Sequence, residues 1–186
     1  MDIHLESLSH AVIAPILNTL SKHIELPKLT NYYLLTAAAI GLKRNPSLFH
    51  SEQGSYGLFH ITEKQHLKLW DDHLVKTPDL ASKIRGLASQ HQFLQTPHQE
   101  LSINLNYATA IAAYAISLNE QAFKVGLPLH QEIALFNSVF PGFRGINRKE
   151  WLKAHTLLTT DKPTPVLLSS DADGTDVDDT EVAVCA

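Results

Sequence analysis

The sequence predicts a mainly α-helical fold. Apolar residues recur at three- and four-residue spacing along the first 160 positions, as they do on the buried face of an amphipathic helix. Helix-start patterns such as Thr62-Glu63-Lys64-Gln65 open several of these segments. No segment alternates apolar and polar residues over the length of a strand, so we expect at most a small loop or hairpin at 44–61.

The first two helices are predicted from the spacing of their apolar residues. A helix over 3–24 has one apolar face, and Pro15 predicts a kink within it. The residues of that face are Leu5, Leu8, Val12, Ile16, Leu20 and Ile24. A short alanine-rich helix is expected at 31–43. Asn45-Pro46 and two glycines then predict the loop or hairpin at 44–61.

Capping patterns mark where the later helices begin. Thr62 is the expected N-cap of one helix, and Thr77-Pro78 and Thr96-Pro97 each combine an N-cap with proline at the first helical position. Asn147 with Glu150 three residues later caps the last helix. The predicted helices are 63–76, 78–93, 97–119, 129–139 and 147–158.

The helix at 97–119 is predicted to lie at the centre of the domain, because its apolar residues occupy two sides. One side holds Leu101, Leu105, Ala108 and Ala112, and the other holds Ile103, Tyr107, Ile111, Tyr114 and Leu118. A helix that is apolar on most of its surface is enclosed by other helices.

Charge and periodicity divide the chain into a helical domain, 1–160, and an acidic arm, 161–186. The arm has seven acids and one lysine and therefore a net charge of −6. Because the whole chain has a net charge of −4, residues 1–160 have a net charge of +2. A nearly neutral domain lacks the clustered basic residues of a nucleic-acid-binding protein. The arm has no helical or strand period, and we expect it to be disordered unless a partner binds it.

Several other classes of protein and site are excluded by composition. The lone Cys185 excludes a disulfide framework and a cysteine-based metal site. His66 and His73 are seven residues apart and lack the four-residue spacing of helical metal ligands. The N-terminus has no signal-peptide pattern, and no apolar run reaches the ~20 residues of a membrane span. We therefore expect no metal, no cofactor and no membrane span.

Three stretches resemble a known family. Leu34-Leu35-Thr36-Ala37-Ala38-Ala39 is similar to the helix that ends in the catalytic Glu-Ser of phage lysozyme-like proteins. Gly54-Ser55-Tyr56-Gly57-Leu58-Phe59-His60-Ile61 resembles the family's G-L-F-Q turn, and Trp70-Asp71-Asp72-His73-Leu74 follows it at family spacing. Asn104-Leu105-Asn106-Tyr107-Ala108-Thr109-Ala110 is close to the N-L-x-Y-A-T-A of the central helix. The chain thus resembles the lysozyme-like, soluble lytic transglycosylase-type domains of tailed-phage tail or baseplate proteins over 34 to about 140.

This resemblance implies a lysozyme-like helical domain whose cleft lacks its acid. Gly41 occupies the position of the family's catalytic glutamate, and glycoside cleavage requires a protonated carboxylic acid. His60 replaces the cleft glutamine, and the arginine of the central helix falls at Ala113. The resemblance implies that the substrate-cleft positions are Tyr56, His60, Asn104 and Tyr107.

Three functions remain open. The resemblance favours a structural virion protein that has lost activity, made in the host cytoplasm and contacting other virion proteins, with the arm 162–186 as one contact surface. Alternatively, Glu52 in the loop before the cleft is the catalytic acid of an active transglycosylase or muramidase that cuts peptidoglycan during genome delivery. The third hypothesis is an unrelated helical adaptor protein.

Overall fold

The computed structural model describes residues 4–44, 54–119 and 126–160, and it confirms a mainly α-helical fold. Helices account for 76% of the described residues and strands for 3%. The strands are β1 (Ser55–Tyr56) and β2 (Ile61–Thr62), which pair antiparallel with Ser55 opposite Thr62. They form the small hairpin predicted for this region. Glu52 and the arm 161–186 lie outside the described residues.

The N-terminal helix contains a wide turn where the sequence predicts a kink. α1 (Leu5–Leu8) continues through a π-helical turn, Ser9–Ile13, into α2 (Ala14–Leu20). Pro15 has no N–H to donate and its ring would clash with an earlier carbonyl, and the wider turn before it relieves both problems. The helix ends four residues before the predicted limit. α3 (Thr30–Arg44) extends one residue beyond each predicted end.

Two of the predicted N-caps are formed. Thr62 Oγ1 accepts from the N–H of Gln65 at 3.2 Å and begins α4 (Glu63–Lys68). A π turn, Leu69–His73, and a 3-10 turn, Leu74–Lys76, complete the predicted length. Asn147 Oδ1 accepts from the N–H of Glu150 at 3.1 Å, and the Glu150 carboxylate accepts from the Asn147 N–H at 3.3 Å. This reciprocal pair begins α10 (Arg148–Thr160).

Two of the predicted helices are each interrupted. The segment 78–93 forms α5 (Pro78–Leu87) and α6 (Gln90–Gln95), with Ala88 extended and the Ser89 hydroxyl capping α6. The segment 97–119 forms a 3-10 turn, Pro97–Gln99, then α7 (Glu100–Ile103) and α8 (Leu105–Ser117). Asn104 leaves the helical conformation, at φ −125° and ψ 97°, because its side chain caps α8. The Thr77 and Thr96 side chains cap nothing.

α8 lies at the centre of the fold, as the sequence predicts for this segment. Every residue from Tyr107 to Ile116 is buried, and α2, α3, α5 and α7 pack around the helix. α3 is also buried on all sides from Tyr33 to Gly41. α9 (Leu129–Val139) has the predicted limits, and α10 packs on α3 through the buried Trp151.

Candidate functional site

Gly41 lies where α3 meets the hairpin turn, and it has no space for a side chain. A Cβ atom on Gly41 would overlap the backbone carbonyl oxygen of Leu58. Leu58 is itself buried, so the overlap could be relieved only by moving the backbone of the turn. The position that the resemblance assigns to a catalytic acid is therefore filled by the neighbouring main chain.

Two more glycines hold the hairpin turn against its surroundings. A Cβ on Gly57 would overlap the Leu101 carbonyl of α7, and one on Gly142 would overlap the His60 carbonyl. Gly57 also has φ +65°, a conformation that favours glycine. The hairpin turn, residues 57–60, thus lies in close contact with α3, α7 and the 3-10 turn Pro141–Phe143.

His60 is a buried structural residue of this turn. It is 6% exposed, its Nδ1 lies 3.1 Å from the Ser55 hydroxyl, and its ring stacks on Phe143 at 4.6 Å. Burial and, to a smaller extent, the nearby Arg44 charge lower the pKa of His60 to about 4, against an opposing effect of the Gly41 carbonyl. Within the part of the chain that the structure describes, its Nε2 has no hydrogen bond of normal geometry. The neutral ring therefore fills the space between the turn and Phe143.

Arg44, the last residue of α3, ties this region to α10. Its guanidinium pairs with the Glu150 carboxylate at 2.7 Å and donates to the carbonyls of Phe143 and Gly145. Burial alone would raise the pKa of Glu150, but the hydrogen bonds from Arg44 and Asn147 and the charge of Arg44 bring it below its ordinary value. Glu150 thus caps α10 and binds Arg44 at once.

A chain of five polar side chains runs from the surface to the centre of the domain, and we call it the histidine–tyrosine network. Glu63 Oε1 lies 3.5 Å from His98 Nε2, and the Nδ1 atoms of His98 and His66 are 2.9 Å apart. His66 Nε2 is 2.6 Å from the Tyr107 hydroxyl, which accepts from the Trp70 indole N–H at 2.9 Å. His66 and Tyr107 are fully buried, and Tyr56 packs on His98 with ring centroids 5.8 Å apart.

The two end groups of the histidine–tyrosine network determine which atom donates in each of its hydrogen bonds. Indole N–H only donates and an ionised carboxylate only accepts. The Tyr107 hydroxyl therefore receives from Trp70 and donates to His66 Nε2. His66 then carries its proton on Nδ1 and donates to His98, which carries its own proton on Nε2, toward Glu63. In this direction Trp70, Tyr107 and His66 each have a hydrogen-bond partner, and His98 Nε2 faces the Glu63 carboxylate at 3.5 Å.

Burial strengthens this arrangement. Burial and, to a smaller extent, the neighbouring His98 lower the pKa of His66 to about 3. Burial also raises the pKa of Tyr107 above its usual value. Both groups stay uncharged at neutral pH, and the Tyr107 hydroxyl is engaged in the interior.

The predicted cleft residues do not form one open groove in the described part of the chain. Asn104 is a cap: its Oδ1 accepts from the Tyr107 N–H at 3.1 Å and its Nδ2 donates to the Leu87 carbonyl at 2.8 Å. His60 and Tyr107 are buried, and Tyr56 is half-buried. Glu52 lies outside the described residues, so its position relative to Tyr107 stays untested.

Glu100 is a buried acid that the sequence does not single out. It is fully buried, and its Oε2 accepts from the Ser89 N–H at 3.2 Å and from Asn104 Nδ2 at 3.1 Å. Its Oε1 has no hydrogen-bond partner among the described residues. An open depression of about 400 Å³ lies beside it. The residues around the depression are Ser89, Glu100, Ile103, Asn104, Leu105 and Asn106. No local pattern distinguishes this glutamate from a solvated first-turn acid.

The described residues contain no group of three or more histidine, cysteine or acidic side chains arranged to hold a metal ion. Among the same residues, no helix is long and apolar enough to cross a membrane. No family model, no curated protein and no solved structure matches this chain.

Proposed function

We propose that this chain is a non-catalytic, lysozyme-like structural component of a tailed-phage virion, located in the tail or baseplate. The proposal rests on the resemblance over 34 to about 140 together with the contact between Gly41 and Leu58. Its partners are other virion proteins.

The contact at Gly41 is the observation that carries the proposal. An acid that protonates a glycosidic oxygen needs both a side chain and space for the sugar beside it. At Gly41 the Leu58 carbonyl oxygen occupies the position that the first atom of a side chain, its Cβ, would need. A domain that kept a cleft and lost only its acid would leave that space open.

The other predicted cleft residues support the same proposal. His60 packs between Ser55 and Phe143, and Tyr107 is bonded to His66 and Trp70. Using either residue to bind a sugar would require breaking a buried contact, which costs free energy. These residues act as part of the packing of a rigid body.

Lysis of cell walls tests the loss of activity. Purified wild-type chain should not clear a peptidoglycan suspension or give a zymogram band, and Glu52→Gln should behave identically. An active lysozyme in the same assay is the positive control. Clearing by the wild type that Glu52→Gln abolishes would replace the proposal with the active transglycosylase.

The virion assignment needs a separate test. The chain should co-sediment with purified particles of the phage that encodes it, and it should be detected there by peptide mass spectrometry. Deleting its gene should give particles with defective tails. Complete particles without the chain would contradict the proposal and favour an adaptor outside the virion.

A further inference from the structure

The exposed side of α10 is basic. Arg148, Lys149 and Lys153 lie on it with the exposed Leu152, around a shallow depression of about 440 Å³ that Thr156 also lines. Within the described residues, these three cations form no ion pair. Glu150 does not neutralise them, because it pairs with Arg44. We call this surface the basic face of α10.

The same chain carries a segment of opposite charge. Residues 171–181 contain six acids and no basic residue. The first 160 residues have a net charge of only +2, so three cations on one helix that form no ion pair with the described residues are a local feature of this domain. Long-range attraction between the segment and the basic face is favourable at low salt.

The linker after α10 is long enough for the acidic segment to reach the basic face of α10. Helix α10 is 13 residues long, about 18 Å from its first to its last residue, and Lys153 lies about 10 Å from its end. Residues 161–170 connect the helix to the acidic segment, and ten residues can span up to about 33 Å. This reach covers the return distance to Lys149 and Lys153.

We propose that the acidic segment 171–181 docks on the basic face of α10 in its own chain. A tether of ten residues gives an effective concentration in the millimolar range, which exceeds that of a second copy at micromolar protein. Exposed ion pairs are individually weak, so docking is reversible and sensitive to salt. The docked segment covers cations that would otherwise attract acidic partners.

Zero-length carbodiimide coupling on the full chain tests the docking. At micromolar protein and low salt, peptide mass spectrometry should find Lys149 and Lys153 joined to acids of 171–181. These products should fall at least about fivefold in roughly 0.5 M salt, where the screening length is only a few ångströms. Coupling to Lys162 inside the arm should persist and serves as the internal control.

Charge reversal locates the surface. Lys149→Glu with Lys153→Glu should increase protease cleavage of the arm several-fold, whereas Lys64→Glu with Lys68→Glu, on the exposed side of α4, should leave it unchanged. Circular dichroism should show both variants folded. Equal protection in all three proteins would overturn the proposal.

An experiment with isotope-labelled chains shows whether the acidic segment on the basic face of α10 comes from the same chain or from a second copy. Equal amounts of ¹⁵N-labelled and unlabelled chain should give cross-links within a single isotope only. Mixed-isotope products would show instead that the arm of one copy binds another, and coupling spread evenly over all exposed lysines would show no defined surface. Either result would contradict docking within the chain. None of these results depends on whether the domain is catalytic.

Discussion

The indole N–H of Trp70 lies 2.9 Å from the hydroxyl of Tyr107, and this contact sets the direction of the whole histidine–tyrosine network. The same indole N–H lies 3.2 Å from His66 Nε2, which makes that nitrogen an acceptor, so the tyrosine proton points to it over 2.6 Å. Each later bond follows from this one. Hydrogen bonds that link buried side chains in this way fix one arrangement of those side chains.

The first prediction concerns the tautomers of the two histidines. Nitrogen-15 shifts of the imidazole rings at neutral pH should show His66 protonated on Nδ1 and His98 protonated on Nε2. Replacing Glu63 with Gln should leave the His66 tautomer unchanged, because Trp70 and Tyr107 determine it from the other end. A His66 ring protonated on Nε2 would contradict the assigned direction.

The second prediction concerns acid stability. His60 has its pKa lowered from 6.5 to about 4 and His66 to about 3, so the unfolded chain binds protons that the folded chain does not. The free energy of unfolding should therefore be unaffected by these groups above about pH 6.5. It should fall as pH drops from there toward 4, with a slope of up to about 2.7 kcal/mol per pH unit from the two groups together.

Urea denaturation at several pH values measures that slope. His60→Gln should remove about half of it, since one of the two titrating groups is lost. His130→Gln, an exposed residue of α9, is the matched control and should leave the slope as in the wild type. Stability that is flat between pH 6.5 and 4.5 would show that neither histidine is held neutral.

The helical order of this chain was predictable because its signals are local. Residues three or four apart along a helix determine its buried face, and a cap needs only a side chain and the first turn. The break at Asn104 was missed because apolar residues continue on both sides of it. There, an asparagine that caps α8 outcompetes continuation of the helix.

The candidate site depended on contacts that no local pattern reports. His66 and His98 are 32 residues apart, and their contact follows from the packing of α4 against the segment before α7. The glycine at position 41 was visible in the sequence, but its contact with Leu58 arises only when the hairpin turn folds against α3. Glu100 looked like an ordinary surface acid because burial is a property of the fold.

The third prediction separates caps that form from caps that only the sequence suggests. Asn147→Ala removes the acceptor for the N–H groups of Lys149 and Glu150 and should cost about 1 kcal/mol or more in the free energy of unfolding. Thr77→Ala removes no side-chain cap and should cost less. Equal losses in thermal or urea denaturation would contradict the assignment of these caps.

The last prediction uses two glycines as a matched pair. Gly41→Ala places a methyl group on the Leu58 carbonyl, in a region buried on both sides. It should lower the free energy of unfolding by at least about 2 kcal/mol, because the backbone of the turn must move. Gly86→Ala adds the same methyl to α5, where no heavy atom of the described residues, apart from the adjacent chain and the helix's own backbone, lies within 4 Å of it. It should raise the free energy of unfolding by about 0.5–1 kcal/mol, because alanine loses less backbone entropy on folding.

Urea denaturation of both variants, with the wild type beside them, gives the two values. Changes of opposite sign in the free energy of unfolding would show why position 41 requires glycine: the backbone of the turn lies too close for a side chain, and the flexibility of glycine is not the reason. A Gly41→Ala domain as stable as the wild type would mean that the turn yields easily and that an acid could be accommodated there. In that case Gly41→Glu should be assayed on peptidoglycan, and clearing by that variant would show that the domain can act on peptidoglycan once an acid is supplied.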